Sequence, residues 1–75
     1  MPRLPRISGQ EAIRALERLG FVQVRQRGSH VVLKKLTPES TVGCVVPLSQ
    51  QLAIGTLAGI LRQAQITTEE FIANL

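Results

Sequence analysis

Apolar residues along this chain change their period, and the changes mark out the elements. Ala12, Ile13, Leu16 and Leu19 recur at helical spacing and form one stripe. Ser8 precedes Glu11 by three positions. Its hydroxyl can accept from the Glu11 backbone while the carboxylate reaches back, a capping box that opens the helix. Gly20 supplies a left-handed stop, and Phe21 can fold back on the helix end. Over Phe21–Gln26 the period falls to two, with Val22 and Val24 alternating with Gln23 and Arg25, as in a strand. Arg27-Gly28-Ser29 reads as a tight turn, because glycine tolerates positive φ. His30–Leu36 is a second strand, but the run Val31-Val32-Leu33 blurs the alternation and leaves open which face His30 occupies. Thr37–Ser40 is a second turn and Thr41–Val46 a third strand, ended by Pro47.

A loop over Pro47–Gly55 leads to a second helix. Thr56 is its expected N-cap, and Leu57, Ile60, Leu61 and Ala64 line its apolar face. A last helical turn starts at Thr67, again with a glutamate three residues on, Glu70; Phe71, Ile72 and Leu75 would dock it. The order is α-β-β-β-α with a short terminal helix. It predicts an α+β domain whose three-stranded antiparallel sheet is covered by helices on one face and more open on the other. Residues 1–7, with two prolines and two arginines, read as an extended arm.

The chain has 75 residues, enough for a single domain over 1–75 with a thin core. A bound partner would add substantially to its stability. Its charge is unevenly spread. Residues 1–35 hold eight cationic side chains against two glutamates, a balance of +6, while residues 36–75 balance to −2. Such a one-sided field attracts a polyanion or an acidic partner protein. Cys44 is the sole cysteine, which excludes an internal disulfide and a cysteine-based zinc site. The first residues lack the apolar run of a signal peptide, and no stretch is long enough for a membrane span, so a cytoplasmic location is expected.

Elimination narrows the chemistry. The chain contains no aspartate, and its five glutamates mostly sit at helix starts or in a turn, where capping explains them. A carboxylate metal cage and a glycine-rich nucleotide cradle are both missing, so neither a metal nor a cofactor is expected. Cys44, between Gly43 and Val45 in an apolar strand, reads as core filling. His30 remains. Arg25, Arg27, Lys34 and Lys35 flank it, a setting that favours a neutral imidazole able to act as a base. RNA carries its own nucleophile, the 2′-hydroxyl, so a base that removes that proton can cleave the chain without metal. The alternative for His30 is a turn cap or a neighbour's hydrogen-bond partner. Tryptophan and tyrosine are absent, so recognition of RNA should rest on phosphates and shape more than on stacked bases. Arg25, Arg27, Lys34 and Lys35 are the candidate phosphate contacts, with Gly28 and Ser29 of the turn beside them. Arg3 and Arg6 of the arm are secondary candidates.

These residues resemble a known family, the HicA toxins, also called YcfA-like proteins. The resemblance runs from Ser8 to about Leu75. It rests on Ser8-Gly9 opening the first helix, on Leu19-Gly20-Phe21 followed by Arg27-Gly28-Ser29-His30, and on Val46-Pro47 followed by Gly55-Thr56-Leu57 through Ile60-Leu61-Arg62-Gln63-Ala64. The resemblance implies a fold like the double-stranded-RNA-binding domain, metal-independent cleavage of mRNA as a stress-response endoribonuclease, a catalytic histidine at His30, and neutralisation by a HicB-type antitoxin. The chain departs from the family pattern at two places. Ser49 stands where many members carry a second histidine, and Gln65 stands where glycine is common. A non-catalytic RNA-binding or protein-interaction module on the same fold is the alternative.

Overall fold

The computed structural model describes residues 3–75; Met1 and Pro2 of the expected arm lie outside the described residues. The elements are α1 (Gly9–Arg18), β1 (Val22–Arg27), β2 (His30–Leu36), β3 (Thr41–Pro47), α2 (Ile54–Ala64) and α3 (Thr68–Ala73). The strands form one antiparallel sheet in the order β1-β2-β3. This is the α+β arrangement that the sequence predicts. No helix among the described residues is long and apolar enough to cross a membrane.

Local chemistry sets the helix ends. At α1 the Glu11 N–H donates to the Ser8 hydroxyl at 3.1 Å and the Ser8 N–H donates to the Glu11 carboxylate at 3.0 Å, the expected capping box. Thr67 and Glu70 repeat it at α3. At the other end of α1, Gly20 adopts φ +100°. Its N–H donates to the Glu17 carbonyl, and that of Phe21 to the Leu16 carbonyl, each at 3.0 Å, a Schellman motif. The end of α2 has the same pair of bonds, Gln65 to Arg62 and Ile66 to Leu61, both 3.2 Å. Here, however, the left-handed residue is Gln65, at φ 58°. The start of α2 differs from the expectation. Ala53, not Thr56, is the N-cap, and no side chain caps it. The first helical bond runs from the Leu57 N–H to the Ala53 carbonyl at 2.9 Å, so Thr56 already lies inside the first turn.

The core lies between the helices and one face of β2 and β3. Leu16 of α1, Val31 and Leu33 of β2, Cys44 and Val46 of β3, Leu57 and Leu61 of α2 and Phe71 of α3 are all buried. Burial pushes the Cys44 thiol up to about 11, as expected for a core thiol rather than a nucleophile. Leu4 and Ile7 pack against this core, so that part of the arm is held on the domain. Gly9 is needed for the closure: a Cβ there would overlap the Pro47 carbonyl oxygen. Its N–H donates to the Ser49 carbonyl at 2.9 Å, and that of Leu52 to the Ile7 carbonyl at 2.7 Å.

β1 contributes nothing to the core; all six of its residues are exposed. The pairing explains why. Gln23 pairs with Leu33 and Gln26 with Val31, so glutamines occupy the helix-facing side of β1. Between them the register slips, with Val24 the extra residue of a β-bulge. Beyond the bulge Arg25 pairs with Val32 and Arg27 with His30.

Candidate nucleic-acid interface

Directly paired residues of an antiparallel sheet share a face. The buried alternation of β2, with Val31 and Leu33 inward, therefore puts His30, Val32, Lys34 and Leu36 on the open face. This settles the position of His30, which the sequence left open. On β1, Val22 shares that face through its pairing with Lys34, Arg25 through Val32 and Arg27 through His30. Bulge geometry is what brings Arg25 there. In an unbroken alternation counted from Val22, Arg25 would point with Gln23 toward the helices.

The Gly28-Ser29 turn joins β1 and β2, with Arg27 and His30 as its closing pair. Gly28 alone has positive φ, at 54°, the pattern of a type II′ turn, which matches the twist of the strands it connects. The turn is braced from outside: the Leu48 N–H donates to the Ser29 carbonyl at 2.6 Å. On its other side His30 pairs with Pro47 of β3. His30 is exposed, and among the described residues none forms a side-chain hydrogen bond with its imidazole. It neither caps the turn nor ties neighbours together. Ser49 lies two residues beyond Pro47, on the segment that braces the turn.

The structure thus gathers Arg25, Arg27, Gly28, Ser29, His30 and Lys34 along one surface. Strands β1–β3 contain no carboxylate to offset the cations. Lys35 stands apart. It falls on the helix side of β2, with its Nζ 5.9 Å from the centroid of the Phe21 ring. There it also faces Glu70, whose carboxyl lies below its ordinary value because Thr67 hydrogen-bonds to it, with a smaller contribution from Lys35. Arg3 and Arg6 are exposed, on the segment that Leu4 and Ile7 hold against the core. The described residues contain no group of three or more His, Cys, Asp or Glu side chains able to hold a metal. What sequence reasoning missed is apolar: Val22, Val24, Leu36 and Val45 are all exposed on the same open face. Val22 lies there through its pairing with Lys34, and Leu36 and Val45 through the unbroken β2–β3 register.

The fold and surface define a small α+β domain with a cationic, uncovered sheet face and a lone histidine at its turn. A family model described as HicA toxin of bacterial toxin-antitoxin matches residues 9–66. The chain belongs to this HicA toxin family, and so to the toxin side of bacterial toxin–antitoxin pairs, which implies an antitoxin partner. The search among curated proteins gave no match.

Proposed function

We propose that the chain is an endoribonuclease toxin that cleaves mRNA in the cytoplasm through His30 and is held inactive by a HicB-type antitoxin. The observation that supports this reading best is the setting of His30, exposed, free of any structural bond and paired with Arg27 on a face without carboxylates.

In this reading the neutral imidazole takes the proton of an RNA 2′-hydroxyl. The 2′-oxygen attacks the adjacent phosphorus, and the bond to the 5′-oxygen breaks. The imidazolium returns its proton to the departing 5′-oxygen, so one residue serves as base and then acid. Arg27, with Arg25 and Lys34 further along the face, balances the charge that builds on the phosphate oxygens. The nucleophile belongs to the RNA, and the scheme uses no metal. Products carry a 2′,3′-cyclic phosphate and a 5′-hydroxyl, and chelators leave the rate unchanged.

The test is purified His30→Ala assayed on single-stranded RNA beside its melting temperature. Loss of about 10²–10⁴-fold in rate is expected. The fold should survive, because the side chain is exposed and unbonded. Cleavage at the parental rate would rule the mechanism out. The alternative, a binding module without catalysis, draws on Ser49 in place of the family's second histidine. A parent that binds RNA but cleaves none, and gains cleavage as Ser49→His, would favour it.

A further inference from the structure

The open face is not uniform along its length. Its turn end carries Arg27 and His30; its other end carries Val22, Val24 and Leu36. Leu36 is 83% exposed, Val22 61% and Val24 52%. A shallow groove of about 560 Å³ runs between them, lined also by Lys34 and Thr41. It continues past Val24 and Lys34 into a second depression, of about 340 Å³, bounded by Arg25 and Val32. An apolar strip flanked by cations is a poor use of surface for a monomer. Contiguous apolar exposure rimmed by polar groups marks a protein contact.

We propose that this apolar end of the sheet is the anchor for the antitoxin, which seats apolar side chains between Val22, Val24 and Leu36 and sets carboxylates against Arg25 and Lys34. The proposal rests on the functional reading above, and adds that the protein partner and the RNA hold different ends of one face. Charge selects the occupant. Strands β1–β3 hold no carboxylate, so the face complements an acidic partner. Glu39 belongs to the turn between β2 and β3, outside the strands. A second copy of the chain docked face to face would bring together two faces that carry cations and no strand carboxylate, which is costly. Single-stranded RNA gains little from this end, because the strands contain no aromatic ring on which a base could stack. The overlap at Arg25 and Lys34 explains inhibition: a partner anchored on the apolar end covers cations that the RNA needs.

The experiment compares the parent with the double variant Val24→Thr, Leu36→Gln. Both side chains are exposed, so the core is untouched. The protein encoded beside this chain in its operon is titrated calorimetrically, and single-stranded RNA binding and cleavage are measured on the same samples. The expected result is an antitoxin Kd raised about tenfold or more, with RNA binding unchanged. Unchanged antitoxin affinity overturns the proposal. So does an equal loss of RNA affinity, which would make the strip part of the RNA surface. A dimer of the parent that the variant abolishes would assign the strip to a second copy and overturn it too. A parent that cleaves no RNA yet loses its antitoxin in the variant defeats the catalytic reading alone.

Discussion

Arg27 and His30 form the closing pair of the β1–β2 turn and share the open face of the sheet. Directly opposed residues have Cβ atoms about 5 Å apart, so a guanidinium and an imidazole can engage the same phosphodiester. Arg27→Gln should therefore reduce kcat for RNA cleavage by about tenfold or more while changing the melting temperature little, since Arg27 is exposed. Arg27→Lys should recover only part of the rate, because an ammonium lacks the fork that holds two phosphate oxygens. Single-turnover cleavage of a defined oligonucleotide separates these variants.

Binding should report which cations meet phosphate. On single-stranded RNA, the slope of log affinity against log salt should become shallower by about 0.7 for each of Arg25→Gln, Arg27→Gln and Lys34→Gln. Lys35→Gln should leave the slope unchanged, because Lys35 lies over the Phe21 ring on the other side of the sheet. A slope that responds to Lys35 and not to Lys34 would put the RNA on the helix side.

The two Schellman ends make a matched pair, with Gly20 in one and Gln65 in the other. A side chain in the left-handed region costs roughly 1–2 kcal/mol, part of which glycine returns through its freer unfolded chain. Gln65→Gly should stabilise the domain by up to about 1 kcal/mol, a Tm rise of up to about 8 °C for a chain this short. Gly20→Ala should do the reverse, since a side chain is strained at φ +100°. Thermal unfolding of the two variants tests both signs.

The Cys44 thiol, raised from 9.0 to about 11 in the folded protein, links stability to alkaline pH. The fold favours the neutral form, so this contribution is complete below pH 9. It is lost as pH rises from about 9 through 11. Parent and Cys44→Ala should differ by a constant amount up to pH 9. Above it, the parent alone should lose this increment of stability. Urea midpoints taken from pH 7 to 11 give the comparison.

Much of this architecture was legible because it is written in local chemistry. The boxes Ser8–Glu11 and Thr67–Glu70, the stop at Gly20 and the turn at Gly28 each depend on residues within a few positions of one another. The first strand was legible in extent, within a residue, but not in facing. A period of two assigns faces only while it runs unbroken, and the extra residue Val24 breaks it. Arg25 and Arg27 then join His30 through pairing with β2, a relation that no short window contains. The start of α2 escaped for a different reason. Thr56 is a good cap by residue type, but the Ala53 carbonyl already accepts the first helical bond. Adjacency in sequence groups Lys35 with Lys34, whereas neighbours on a strand point to opposite faces.

The segment from Pro47 to Leu52 holds the start of α1 through Gly9 and Ile7, and braces the turn beside His30 through Ser29. Synthesis proceeds from the N-terminus, so the histidine leaves the ribosome well before the residues that fasten its surroundings. The β1–β2 ribbon alone is a two-stranded hairpin, marginal in water. Its turn gains the bond from Leu48, and α1 its bonds to the same segment, only after Leu52 has emerged. Leu57, Ile60, Leu61 and Phe71, which complete the core, follow later still. A chain interrupted before this point carries His30 without the frame around it. The surface that carries His30 is thus framed late, by bonds that no chain ending before Leu48 can make.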